Sequence, residues 1–223
     1  MAAAVAVLVS GGGTNLQALL AAAAAGAAFD VAHVVADRED AFALERARRA
    51  GVATTVVPRR AFADRAGFER ELAAVLAGSG ADWVALAGFM RVLGPELVAG
   101  WRDRMLNIHP SLLPAFRGLH THRRVLAAGL KITGCTVHVV RAELDDGPVV
   151  VQAAVPVLDD DDEATLAARV LAQEHRAYPL ALDLLASGRA VVDGERVRLT
   201  APAAAVPEGF LWPTAGGGAE PRR

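Results

Sequence analysis

Ala4-Val5-Ala6-Val7-Leu8-Val9-Ser10-Gly11-Gly12-Gly13-Thr14-Asn15 is the stretch on which the fold turns. An unbroken apolar run leads into three glycines, and from Asn15 to Ala28 the chain is rich in alanine and leucine. A short segment apolar on both faces suits a strand in the middle of a sheet, and the glycines suit a tight turn into a helix. The same alternation recurs downstream. Val31 to Ala36 is a second apolar strand ending in Asp37-Arg38, and Ala41 to Ala50 a helix stopped by Gly51. Thr54 to Val57 is a third strand ended by Pro58, and Asp64 to Ala77 a third helix with Asp64 as its N-cap. Trp83 to Ala87 and Met105 to Ile108 are the fourth and fifth strands, the latter closed by Pro110. Apolar strands alternating with helices predict a doubly wound α/β fold with a mostly parallel sheet.

After about residue 130 the pattern changes. Ile132 to Val140 and Val149 to Val157 are long β-rich runs joined by Arg141-Ala142-Glu143-Leu144-Asp145-Asp146-Gly147-Pro148. That link is too short for a helix, so the two runs pair antiparallel and give the sheet an antiparallel C-terminal portion. Asp159-Asp160-Asp161-Asp162-Glu163 precede a helix from Ala164 to Ala186, where acids favour the positive N-terminal end. Pro179 is expected to kink that helix. Ala190-Val191-Val192 and Val197-Arg198-Leu199 flank Asp193-Gly194-Glu195-Arg196, a terminal hairpin turning at Asp-Gly. Residues 213–223 form a Gly/Pro-rich tail expected to be disordered. No repeat or linker divides the rest.

Composition narrows the function. The chain has 223 residues, 53 % hydrophobic and 22 % charged, with a net charge of −2. That balance has no basic footprint for nucleic acid and no polybasic membrane anchor. A single cysteine, Cys135, excludes a disulfide scaffold and a four-thiolate zinc site. Lys131 is the only lysine, so a Gly-Lys-Ser/Thr phosphate loop is absent. The N-terminal apolar run has no basic residues before it, unlike a signal peptide, and the stretch from Ala18 to Phe29 is too short to span a bilayer. A reducing, cytoplasmic location is expected.

Three places carry chemistry. Ser10 to Asn15, between a strand and a helix, aims backbone N–H groups at an anion, with phosphate the natural guest. The dinucleotide pattern G-x-G-x-x-G fails at Leu16, although Asp37 at the end of strand two would suit a ribose; a nicotinamide enzyme is therefore the lesser reading. Asn107 and His109, at i and i+2, share one face of the fifth strand at its C-terminal end, about 6.6 Å apart along the chain. An amide donor beside an imidazole suits a developing oxyanion. Asp145 is the third. On spacing alone it is an acid in a hairpin turn, but a carboxylate near an imidazole favours the protonated ring. His120 and His122 are too few for a closed metal site and are assigned to shaping the loop after the fifth strand. Cys135 reads as a buried, inert thiol, His138 as a supporting residue, and Arg46, Arg48 and Arg49 as a solvated helix face.

These pieces have a familiar order. SGGGTNLQALL (10–20), LAGFMRVL (86–93), LNIHPSLLPAFRGLHTH (106–122), GCTVHVV (134–140), ELDDGPVVVQ (143–152) and QEHRAYP (173–179) follow one another as in the phosphoribosylglycinamide formyltransferase family, which the chain resembles over about residues 3 to 212. The resemblance implies one formyltransferase domain over residues 1–212, a Rossmann variant. Residues 1–100 would be its phosphate and substrate half, and residues 101–200 its catalytic and folate half. It implies transfer of a formyl group from 10-formyltetrahydrofolate to glycinamide ribonucleotide, without a metal, nucleic acid or membrane, by a monomer or homodimer. By motif match, Asn107, His109 and Asp145 are catalytic, while Gly13, Thr14, Asn15 and Glu174 bind the ribonucleotide. Arg65, Met90, Arg91, Val92, Leu93, Asn107, Val140 and Arg141 lie on the folate side. Asp145 would hold the imidazole charged and help move a proton. Two positions depart from the family: Asp146 stands where a small residue is commoner, and Phe116-Arg117 replaces an aromatic–proline pair. Relatives that deliver the formyl group to water or to methionyl-tRNA share such centres, and the glycine loop favours the ribonucleotide acceptor.

Overall fold

The protein is seen in a computed structural model that describes residues 1–201. The expected tail at 213–223, and the end of the 1–212 domain, lie outside the described residues.

Strand β1 (Ala3–Val9) divides its side chains between two cores. Val5, Val7 and Val9 pack with Leu16, Leu19, Tyr178 and Leu182, whereas Ala6 and Leu8 pack with Phe68, Leu72, Leu76 and Met105. The period of two sends alternate residues to opposite faces, so a strand covered on both sides must be apolar throughout. Leu72 is 1 % exposed, and truncating such a side chain to alanine costs about 2–5 kcal/mol.

The other strands of this sheet are β2 (Phe29–Ala36), β3 (Ala53–Val56), β4 (Trp83–Leu86), β5 (Met105–His109), β6 (Ile132–Val139) and β7 (Val149–Pro156). Their order is β3-β2-β1-β4-β5-β6-β7, with β1 to β5 parallel and β6 and β7 antiparallel to their neighbours. The chain winds outward from β1 to β3, then returns to lay β4 and β5 on the other side. That reversal opens a crevice at the C-terminal ends of β1 and β4, the place where open α/β sheets bind ligands. A separate hairpin, β8 (Ala190–Asp193) with β9 (Arg196–Leu199), turns through Gly194 at φ 60°.

Helices α1 (Thr14–Ala24), α2 (Phe42–Arg49), α3 (Arg65–Gly78), α4 (Pro95–Gly100), α5 (Thr121–Ala127) and α6 (Glu163–Ala186) cover the sheet. α1 is shorter than the sequence predicts: Gly26 turns the chain at φ 88°, and Phe29, fully buried, already opens β2. α4 and α5 were not read from the sequence. Asp64 caps α3 by accepting from the Gly67 amide at 2.7 Å. At α6 the acidic run divides its work. Asp162 and Thr165 form a reciprocal capping box, Asp161 takes both ends of the Arg169 fork at 2.5 and 2.8 Å, and Asp159 meets Lys131 at 2.6 Å. Pro179 lies inside an unbroken α6, where its missing N–H leaves the His175 carbonyl without its helical donor. One turn away from that gap Tyr178, completely buried, shares its hydroxyl proton between the carbonyls of Leu86 (3.0 Å) and Leu106 (3.1 Å). The hydroxyl thereby ties α6 to β4 and β5 beside the crevice.

Candidate active site

The i, i+2 spacing of Asn107 and His109 puts both on one face of β5, and the antiparallel partner supplies what lies opposite. His138 pairs with Asn107 and Thr136 with His109. Burial lowers the His138 pKa, so its ring is neutral at pH 7. Its Nδ1 lies 3.2 Å from the Val139 carbonyl and takes the proton, leaving Nε2 as an acceptor. Asn107 Nδ2, 3.2 Å from that Nε2, then donates to it and keeps a second N–H uncommitted.

His109 is buried between acceptors. Nε2 lies 3.0 Å from the Phe116 carbonyl and Nδ1 3.4 Å from Asp145 Oδ2. Both oxygens can only accept. Two residues reach this arrangement from left-handed backbone, Phe116 at φ 56° and Asp145 at φ 52°. Aspartate tolerates that region; a bulky aromatic rarely does, and such strain collects at functional sites. The Asp145 carboxylate is 8 % exposed, accepts from the Gly118 amide at 2.9 Å and stands 3.8 Å from His138 Nε2. The neighbouring Asp146 turns instead to Arg117, so the two departures from the family pattern meet as one ion pair. Thr136 organises the loop after β5, accepting from the Leu113 amide at 2.9 Å and donating to the Ser111 carbonyl at 2.7 Å.

In the crevice, a cavity of about 230 Å³ is lined by Ser10 to Asn15 with Ala87, Gly88 and Met90. Gly13 begins α1 at φ 72°, and a β-carbon there would stand 2.6 Å from that of Ala43; the turn admits no side chain. The free N–H groups of the first turn of α1 make the cavity an anion cradle. Asn15 Nδ2 donates to Glu174 Oε2 at 2.7 Å across 159 positions of sequence, while Asn15 Oδ1 is buried without a partner. Burial raises the Glu174 pKa; the Asn15 hydrogen bond and the charge of His109 pull it back.

On the proposed donor side, Met90 and Val92 are exposed and Leu93 is buried. Arg91 is held by the buried Asp37 at 2.6 Å, which takes Asp37 from the ribose role considered above. Arg65 pairs with Glu69 at 2.6 Å, and Glu69 also accepts from the Gly94 amide, fastening this loop to α3. The Val140 amide donates to the Met105 carbonyl, and the Arg141 side chain turns away from the trio toward Asp103 and Glu195. Among the described residues no group of three or more metal-ligating side chains is gathered, and no helix is long and apolar enough to cross a membrane.

Comparison with known proteins bears on the same regions. Residues 3–182 match the model of the formyl transferase family. The chain is 46 % identical over 199 residues to the phosphoribosylglycinamide formyltransferase of Escherichia coli, covering 86 % of this chain and 94 % of that protein. This chain belongs to the phosphoribosylglycinamide formyltransferases. It is also 46 % identical over 194 residues to the trifunctional purine biosynthetic protein adenosine-3 of Drosophila melanogaster, covering 86 % of this chain but only 14 % of that one. The solved structure of glycinamide ribonucleotide transformylase 1 from Symbiobacterium toebii superposes with a TM-score of 0.86 at 49 % identity, covering 89 % of this chain and 94 % of that chain.

Within this formyltransferase, sequence reasoning undervalued His138, which holds Asn107. Its alternation with Thr136 was visible, but the register that sets it opposite Asn107 was not. Cys135 is buried, and burial, with the charge of Glu174, pushes its thiol up to about 12. A thiol so placed is no nucleophile.

Proposed function

We propose that this formyltransferase of purine biosynthesis carries the formyl group of 10-formyltetrahydrofolate to the amino group of glycinamide ribonucleotide. The observation that supports the reading best is the approach of His109, on the strand β5 that also carries Asn107, to 3.4 Å from Asp145, with an anion cradle nearby. The phosphate sits on the α1 N-terminus at Gly13, Thr14 and Asn15. Asn15 Oδ1 and Glu174 receive the donors of the ribonucleotide. The exposed apolar side chains of Met90, Val92 and Leu144 offer faces to a flat pterin, with Arg65 and the backbone from Val140 to Asp145 beside it.

The amine lone pair attacks the formyl carbon, and the carbonyl π electrons move to oxygen. The adduct carries a negative oxygen and a positive nitrogen. The spare N–H of Asn107 and the Nε2–H of His109 stabilise that oxygen; being charged, it outcompetes the neutral Phe116 carbonyl for the His109 proton. Asp145 keeps the ring charged and relays a proton from the incoming nitrogen to the folate nitrogen. The bond from carbon to that folate nitrogen then breaks, and the carbonyl re-forms on the new amide. No step in this sequence calls for a metal.

The test mixes purified protein with glycinamide ribonucleotide and 10-formyltetrahydrofolate and follows tetrahydrofolate release by absorbance, omitting each reactant in turn. Release that requires the ribonucleotide is the expected outcome. Equal release without it would mean that water is the acceptor, and the reading would fail.

A further inference from the structure

The outer part of the loop that presents Asp145 has little packing of its own. Ala142, Glu143, Leu144 and Asp146 are exposed, and a groove of about 750 Å³ runs along its outer side between Arg102, Glu143 and Glu195. Backbone hydrogen bonds close only its ends, from the Val140 amide to Met105 and from the Val139 amide to Pro148, each at 2.8 Å. Between those ends, side chains do the holding. Asp145 itself accepts from Gly118, and Asp146 pairs with Arg117 at a site where both are more than one-third exposed.

Arg141 is different. Its side chain is 9 % exposed and its guanidinium joins three segments. It donates to Asp103 Oδ1 at 2.7 Å, to both carboxylate oxygens of Glu195 at 3.2 and 3.3 Å, and to the Gly194 carbonyl at 3.3 Å. Asp103 precedes β5 and meets it from a left-handed backbone, φ 62°; Gly194 and Glu195 are the turn of the β8–β9 hairpin. An isolated exposed ion pair contributes little, whereas a multidentate guanidinium held from two sides fixes both position and orientation.

Resting on the reading of function above, we propose that the β8–β9 hairpin belongs to the catalytic apparatus. Through Glu195 and Gly194, with Asp103 opposite, it grips Arg141 and so sets the 140–148 loop at the height that brings Asp145 to His109. Arg141 is a positioning residue, and its side chain need not touch the folate. Misplacing a reacting group by about 1 Å can cost on the order of 10²-fold in rate. Loosening one anchor of several should cost less.

The experiment compares the intact protein with Glu195→Ala, Asp103→Ala and the double variant. Hydrogen exchange of the 140–148 amides reads loop order without reference to activity; kcat and KM for each substrate read its consequence. We expect faster exchange confined to the loop, a fall in kcat of about tenfold in the double variant, a raised KM for the formyl donor, and a KM for the ribonucleotide within about twofold. If the double variant does not fold, Glu195→Gln keeps the side-chain length and serves in its place. Unchanged exchange, or faster exchange with unchanged kcat, overturns the proposal. Absence of transfer by the unaltered protein would instead overturn the reading of function, taking the catalytic half of this proposal with it and leaving the exchange data to judge the anchor.

Discussion

His109 is enclosed by oxygens that only accept, and Asn107 by a neutral imidazole that also accepts. Each side chain is therefore held in one orientation. Asn107→Ala and His109→Ala should each lower kcat by about 10²–10³ while KM for the ribonucleotide changes little. Steady-state kinetics at saturating donor would check this. His138→Phe removes the acceptor that orients Asn107 and leaves the amide free to rotate. A drop in kcat of about tenfold is expected, with substrate affinity nearly unchanged in a binding titration. The i, i+2 spacing of Asn107 and His109 made their shared face legible in sequence. The part played by His138 was not, because it depends on which residue of a distant strand pairs with Asn107.

At the level of elements, the site is made where loops close onto strand ends. Gly147 shows how tightly: a β-carbon there would come within 1.6 Å of the Val139 carbonyl oxygen. Gly147→Ala must push the loop away from β6 and carry Asp145 with it. Turnover should fall by more than tenfold while the far-UV circular dichroism spectrum is retained. Tyr178→Phe leaves the carbonyls of Leu86 and Leu106 buried without their donor, a loss of about 1–3 kcal/mol in a urea titration. Strands, the long helix and the hairpins were legible because their periodicity or turn chemistry is local. α4 and α5 were not: helices of 6 and 7 residues span too few turns to display a repeat.

For the molecule as a whole, imidazoles that are partly or fully withdrawn from water shape the response to acid. His33, His122, His138 and His175 all have pKa values lowered by burial from the usual 6.5. The unfolded chain binds protons there more readily than the folded one, so stability falls as pH drops through 6.5. Asp161 adds a later loss. The Arg169 hydrogen bond holds it at about 2 against an ordinary 3.8, a contribution present above 3.8 and lost as pH falls toward 2. Thermal midpoints from pH 8 to pH 3 should decline from about pH 6.5 downward, and Asp161→Asn should remove only the last part of the decline. The alternation of the strands with α1, α2, α3 and α6, the turn at Gly13 and the common face of Asn107 and His109 were determined by the sequence itself, because each rests on interactions between residues near in the chain. Tertiary structure alone decided that Asp145 reaches His109, that Glu174 reaches Asn15, and that Arg141 meets Asp103 and the turn of the terminal hairpin. Those meetings depend on strand register and on the packing of segments far apart in sequence, which no local period records.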